Sequence, residues 1–256
     1  MAVKQTKKLN DSSVTDVTTV NSTDRILMKD SNGKLIPISL ANLKAAMQGG
    51  ISENAQVDGV FIMCHRKSDN YLIMYKPHKW AAQQSAGEIA DGVVVVEGGK
   101  ILVVAPTESS MTWSLEAVSG GGTTTTDRVT AMNDWNGKTN TAAQITKAAC
   151  SSNAYAPGYC ANYSRVNANG YGLTAGKWWL PSLGEMMMIY ANMTKINYAL
   201  SLIDGATQLP EAAHWTSTES SATSAWLLNL GSGLASYGLA KASTTRHVRP
   251  VSAFIA

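Results

Sequence analysis

Charge is scarce in this chain: only 15% of its 256 residues are Asp, Glu, Lys or Arg, and they leave a net charge of +3. Apart from the Lys7-Lys8 pair the basic residues are scattered, so there is no footprint for a phosphate backbone and nucleic acid is not an expected partner. Long apolar runs are also missing. The opening MAVKQTKKLNDSS lacks the apolar core of a secretory leader, and no later stretch is long and apolar enough to cross a bilayer. The expectation is a soluble chain made in the cytoplasm, not exported by the usual route and without membrane insertion. Cysteine is sparse: Cys64, Cys150 and Cys160 cannot all pair within one chain, and no C-x-x-C spacing invites zinc. Cys150 and Cys160 can bridge, but buried free thiols are the expected state of a protein made inside a cell. Phe occurs twice against seven Trp and nine Tyr, a balance suited to amphipathic rings at surfaces and contacts. No Ser-His-Asp order, phosphate-binding glycine loop or paired-His motif stands in a useful context, so neither a catalytic residue nor a cofactor is expected.

What is present is enough apolar material, 45% of the residues, to bury a sizeable core. The first fifty residues have their own grammar. In RILMKDSNGKLIPIS two apolar-rich runs flank Asn32-Gly33, which predicts a hairpin, and LANLKAAM after Ser39 predicts a short helix ending at Gly49-Gly50. So small a unit needs a neighbour or copies of itself. Residues 51–256 form the second predicted domain. GVFIMCHR, NYLIMY, GVVVVEGG and KILVVAP read as short paired strands, with turns at Asp91-Gly92 and Gly98-Gly99 and a loop at SGGGTTTTD. Ala-rich helical stretches follow, broken by Pro157-Gly158. After Pro181 a helix is expected from about Ser182, with Met187, Tyr190, Ala191 and Met193 or Thr194 on its apolar side. Its Met-Met-Met run reads as core filling.

Three segments carry a family resemblance: GKWWLPSLGEM, HWTSTESSATSAW and VRPVSAF. Their order and spacing resemble the C-terminal signature of bacterial and phage C-type-lectin-fold domains of the formylglycine-generating-enzyme branch. NDWNGKTNT and APTESSMTWS are similar to parts of the same domain in gut Bacteroidales proteins, so the resemblance covers roughly residues 57–256. The first fifty residues resemble the virion-proximal segment of phage tail fibres. Together these resemblances imply an α+β, C-type-lectin-like receptor-binding protein of a phage tail, of the kind diversified by a retroelement. They imply a virion location at the tail-fibre tip, a host surface protein or glycan as partner, contact with other tail proteins through residues 1–50, and a homotrimer. The other reading is a non-diversified lectin-like or structural module of a bacterial surface.

In such variable proteins, template adenines, mostly in AAY codons, are mutagenised and the third base stays a pyrimidine. Such codons cannot encode Met, Trp, Lys, Glu or Gln. Within the expected variable region, about residues 215–250, the stretch from Leu227 to Val251 contains one member of that set, Lys241. Strand alternation with Trp226, Leu228 and Leu230 inward turns Leu227 and Asn229 the other way. Gly231, Leu234, Ser236, Tyr237, Gly238 and Leu239 then form an expected ligand-binding surface, with Thr244, Thr245 and His247 beside them. His214 and Trp215 are expected to open a core strand. Glu219 matches the glutamate of the family's W-T-S-T-E strand, with Arg249 as its expected partner. The branch's catalytic cysteines lie near its closing strands, where this chain has none. The calcium motifs of animal lectins are absent, and no metal is expected; Asn133-Asp134-Trp135-Asn136 has a different order, and a turn at Asn136-Gly137 accounts for it as well as an ion.

Overall fold

The structure, a computed structural model, describes residues 25–29, 35–39 and 58–254, and the chain divides into two units, Met1–Asn54 and Ala55–Ala256. In the first unit β1 (Arg25–Lys29) pairs antiparallel with β2 (Leu35–Ser39), from Arg25 opposite Ser39 to Lys29 opposite Leu35. The Asn32-Gly33 turn between them and the predicted LANLKAAM helix lie outside the described residues.

In the second unit, β3 (Gly59–His65) and β4 (Leu72–Tyr75) precede α1 (Trp80–Ser85), followed by β5 (Gly92–Glu97), β6 (Lys100–Val104) and β7 (Ser109–Met111). Four helices come next: α2 (Arg128–Met132), α3 (Gly137–Gln144), α4 (Ala148–Ser151) and α5 (Ala156–Asn162). Short strands β8 (Arg165–Val166), β9 (Gly172–Leu173) and β10 (Trp178–Trp179) lead to α6 (Leu183–Ala191) and α7 (Met193–Leu200). The chain closes with β11 (Ala213–Glu219), β12 (Ser224–Asn229), β13 (Ala235–Ala240), β14 (Arg246–Val248) and β15 (Val251–Ser252). This is a mixed α+β architecture built on two main sheets. One has six strands in the order β10-β15-β6-β5-β3-β4; the other has five in the order β13-β12-β11-β14-β7, where only the β11–β14 pair is parallel.

The unalternating GVVVVE of β5 is explained by burial on both faces. Val93 and Val95 join Ile62, Leu102 and Val104 in a core that also takes in Met186, Ile189 and Ile196 of the helices and Trp226, Leu228 and Leu230 of β12. Val94 and Val96 face a separate cluster with Met63, Val103, Leu173 and Trp178. A third cluster, with Trp113, Cys150, Cys160, Leu180, Trp215, Leu227 and Val248, backs the opposite face of β11 and β12.

Three local expectations are corrected. Asp91-Gly92 is not a surface turn: Asp91 is buried with its carboxylate 2.5 Å from His65 Nδ1, and Gly92 starts β5. Pro157-Gly158 does not break a helix but begins one, because proline at the first helical turn needs no N–H partner. The helix after Ser182 buries Leu183, Met186 and Ile189, while Met187 and Tyr190 are half-buried and Ala191 is exposed. It also ends sooner, passing at Asn192 into α7. The apolar residues run nearly all round this helix, so periodicity does not fix which side faces the core.

At the start of α6, Glu185 accepts hydrogen bonds from Ser182 N (2.8 Å) and Trp179 Nε1 (3.1 Å). Burial nevertheless pushes its carboxyl up to about 7, against the opposing pull of those bonds. The folded state then holds this proton more tightly than the unfolded chain does. The associated stability is complete below the ordinary carboxylate value of 4.5 and is lost as pH rises through about 7. Glu185→Gln keeps an acceptor for Ser182 N, so the variant's melting temperature should fall less than the wild type's across that window; identical pH profiles would contradict this.

Candidate functional site

The Val-Arg-Pro-Val ending is where the two sheets exchange strands. β14 lies in the five-stranded sheet beside β7, and β15 lies in the six-stranded sheet beside β6. Arg249-Pro250 and residues 105–108 are therefore two crossings that run side by side, tied by a bond from Ala105 N to Pro250 O (3.0 Å). Arg249 is fully buried there. It donates from Nε to Glu108 Oε2 (3.0 Å), from Nη1 to Ala105 O (3.0 Å) and from Nη2 to the carbonyls of Thr207 (3.0 Å) and Gln208 (3.2 Å). Glu108 also faces His214 Nε2 at 3.2 Å and His247 Nδ1 at 2.9 Å. Burial would raise its carboxyl, but the His214 bond and the Arg249 charge outweigh it and hold the pKa below the ordinary value. The expected partnership of Arg249 with Glu219 is thus corrected: the guanidinium belongs to Glu108, brought by a crossing strand far away in sequence.

Glu219 has a different cation. Lys241 Nζ donates to Glu219 Oε2, to Val118 O (2.9 Å) and to the carbonyls of Ser221 and Ala222 (both 3.1 Å), and sits 4.4 Å from the centre of the Trp113 ring. Both side chains are completely buried. The glycine-rich loop closes the cage: Gly120 N and Gly122 N donate to the two Glu219 oxygens at 2.8 and 3.1 Å. A Cβ at Gly120 would lie 2.6–2.8 Å from Gln144, Glu219 and Trp113, so this close approach of backbone to carboxylate requires glycine. Lys241 follows β13 directly, which locks the end of that strand to the frame.

β13 is an edge strand, and it carries the middle of the expected binding surface. Leu234 (55%) and Tyr237 (51%) are among the exposed large hydrophobic residues; Gly231 and Gly238 are exposed, and Ser236 and Leu239 are half-buried. Between the pairs Leu227–Ser236 and Ala225–Leu239, the single residue Trp226 opposes both Tyr237 and Gly238. This is a bulge, with Gly238 at φ +85°. The extra residue reverses the alternation. Ala235 and Tyr237 lie on the Trp226 side, but Leu239 is turned toward the cluster behind Ala225. The Tyr237 ring rests 4.8 Å from that of Trp226, whose own Nε1 donates to Thr125 O at 2.7 Å.

Two expectations about this surface are corrected. Leu227 does point away from Trp226 and Leu228, but it is 3% exposed, because the far face of β12 meets the third core cluster rather than water. Asn229 is half-buried and its Oδ1 accepts from Gly231 N (2.9 Å) and Ser232 N (3.2 Å), shaping the turn into β13. Thr244, Thr245 and His247 do not adjoin β13: β12 and β11 separate β13 from β14, and residues 241–245 pass the ends of both. Thr245 is exposed, while Thr244 and His247 are half-buried. The predicted residues thus form two exposed groups at opposite sides of the sheet.

Other candidate chemistry resolves into structure. His214 and Trp215 follow Ala213 at the start of β11 and are fully buried. Asp134 is buried and accepts from Asn136 N (3.0 Å), Thr123 Oγ1 (3.2 Å), Asn140 Nδ2 (2.9 Å) and Thr218 Oγ1 (2.7 Å), which fills both carboxylate oxygens; Asn136-Gly137 opens α3. Cys64, Cys150 and Cys160 are free and buried, and burial raises the thiols of Cys64 to about 12 and Cys150 to about 11, which keeps them protonated and weakly nucleophilic. A cavity of about 370 Å³ beside the β5–β6 turn is lined by Lys100, Met132, Trp135 and Met187, apart from the β13 surface. Among the described residues, no helix is long and apolar enough to cross a membrane.

No family model matches this chain, and no curated protein sequence matches it. Among solved structures, a fimbrial protein from Bacteroides ovatus aligns with 92% of this chain at 13% identity and a TM-score of 0.42. The match covers 49% of that protein, so this chain spans about half its length.

Removing one member of a buried pair leaves a desolvated charge, which costs about 3–5 kcal/mol. Lys241→Met should cost that much in urea denaturation, and adding Glu219→Gln, which removes the uncompensated charge and keeps an acceptor for the glycine N–H groups, should recover part of it; a single variant as stable as wild type would contradict the caged pair. Arg249→Ala should destabilise comparably, and its effect should be strongly non-additive with Glu108→Gln and near-additive with Glu219→Gln. The reverse pattern in the two cycles would restore the Glu219–Arg249 pairing.

Proposed function

We propose that this chain is a receptor-binding protein of a phage tail, with a C-type-lectin-like scaffold that displays diversifiable side chains. The observation that carries this reading is the place of Lys241. Between Leu227 and Val251 it alone belongs to the residue types that a codon with a fixed third pyrimidine cannot encode, and its side chain is completely buried in an ion pair. Every exposed or half-buried residue of the stretch, from Asn229 to His247, belongs to the permitted set. Exclusion of five residue types from the surface, with the exception confined to the frame, is the pattern expected if mutagenesis acts on surface positions.

Physical considerations support the same use. An edge strand held at its end by Lys241 and along its face by Trp226 bears the ordering cost before a partner arrives, so side-chain exchange changes affinity without rebuilding backbone. Tyr237 supplies a large amphipathic ring with few rotatable bonds, and Leu234 an apolar contact nearby. The proposed partner is a host surface protein or glycan. A homotrimer joined to other tail proteins through residues 1–50, at the tip of a tail fibre on the virion, would multiply weak contacts into firm attachment.

The test compares attachment of the full chain to host cells with that of a Leu234→Ser, Tyr237→Ser variant. The variant should lose attachment while remaining folded, at a stability cost of about 1 kcal/mol set by the lost Tyr237–Trp226 contact. The DNA beside the gene should hold a near-repeat of the segment encoding residues 215–250, differing at template adenines, together with a reverse-transcriptase gene. Undiminished attachment by the variant, or the absence of any such repeat, would overturn this reading and return the chain to the non-diversified surface modules.

A further inference from the structure

The geometry points to a divalent transition-metal site formed by Glu108, His214 and His247, which we propose binds Zn²⁺ or a similar ion with one coordination position open to solvent. The three ligand atoms lie within 4.8 Å of one another. They come from segments whose positions the sheet fixes: His214 on β11 is directly opposite His247 on β14, and His247 is opposite Ser110 on β7, two residues after Glu108. The inference does not depend on the receptor-binding reading.

The decisive feature is the hydrogen-bond account of His214. Its ring is fully buried, with Nδ1 3.0 Å from Ala212 O and Nε2 3.2 Å from Glu108 Oε2. A carbonyl oxygen only accepts, so Nδ1 carries the hydrogen. In the neutral imidazole, Nε2 then directs a lone pair at a carboxylate oxygen that also only accepts. Two facing lone pairs in a buried site need a positive centre between them, either a second proton that makes His214 a charged donor to Glu108 or a metal ion, and a second imidazole on the same carboxylate favours the metal. A backbone carbonyl that fixes the tautomer so that the other nitrogen is free to ligate is the usual outer support of a histidine ligand.

The remaining groups agree. His247 Nδ1 is 2.9 Å from Glu108 Oε1, the other oxygen of the same carboxylate, and 3.4 Å from Ser110 Oγ. The His247 side chain is 34% exposed, which gives an ion a route from solvent and room for a fourth ligand. Two imidazoles and one carboxylate suit zinc, cobalt, nickel or copper rather than calcium or magnesium, whose ligands are oxygens. With metal–ligand bonds of about 2.0–2.2 Å, ligand atoms in a tetrahedral site sit roughly 3.4 Å apart, so a small rotation of the half-exposed His247 completes the set. The Arg249 guanidinium faces the site, with Nε 3.0 Å from Glu108 Oε2. It orients the carboxylate and opposes a second cation, so binding should be reversible rather than a condition of folding.

The full chain, stripped with a chelator, is titrated with Co²⁺ and followed by visible absorption, and its melting temperature is read with Zn²⁺ and with Mg²⁺. Co²⁺ should produce ligand-field bands that Zn²⁺ abolishes, and Zn²⁺ should raise the melting temperature by about 4 °C while Mg²⁺ leaves it unchanged. His247→Ala, at a half-exposed position, should melt like the wild type without metal and bind Co²⁺ about tenfold or more weaker. Absence of the Co²⁺ bands would show that a proton, not a metal, sits between His214 and Glu108 and would overturn the proposal. Bands and melting shifts of equal strength in His247→Ala would also overturn it, by placing the ion elsewhere.

Discussion

Glu108 and Arg249 meet where two strands leave one sheet and enter the other, and the arrangement of the second unit depends on that meeting. Each crossing exposes backbone that neither sheet can pair, and the guanidinium answers the Ala105 carbonyl of one crossing together with the Thr207 and Gln208 carbonyls of the loop before β11, while its charge is balanced by Glu108. Buried ion pairs of this kind add little to stability relative to apolar packing, but a partner lost is expensive. Their value here is geometric, since the fork of Arg249 fixes the angle at which β14 becomes β15 and β6 gives way to β7.

A second buried pair does the same at the opposite edge. The cage of Lys241, Glu219, Gly120 and Gly122 fastens the residue that follows β13, so the most exposed strand of the five-stranded sheet is bounded by one of the most buried groups in the protein. Frame and surface thus alternate along a short stretch of chain. Trp226 belongs to the frame and Tyr237, whose ring is tilted against it, to the surface; the bulge at Tyr237-Gly238 is what lets one strand serve both.

Much of this was legible in the residues. The strand runs GVFIMCH, LIMY, GVVVVE and KILVV, the antiparallel pairing of RILMK with LIPIS and the helix after Ser182 follow from local pattern, because each is decided by neighbours in sequence. The inward side of WLLNL was legible only in half: alternation separates Trp226 from Leu227 but is silent on whether the second face meets water or another core. The ion pairs were not legible, since Glu108 and Arg249 are joined by sheet topology across 141 positions. Lys241 did stand out, as the one residue between Leu227 and Val251 of a type that a codon with a fixed third pyrimidine cannot encode, but nothing in the sequence marked it as buried or paired with Glu219. The bulge that turns Leu239 inward leaves no comparable mark beyond Gly238.

The central claim is that exposed positions on β13 and its flanking loops are exchangeable while the buried charges are not. Two libraries decide it, one randomising Leu234, Ser236, Tyr237 and Thr245, the other Glu108, Glu219, Lys241 and Arg249, each read by the fraction of members that resist proteolysis as folded protein. Most members of the first library should remain folded and few of the second; equal survival in the two would contradict the account.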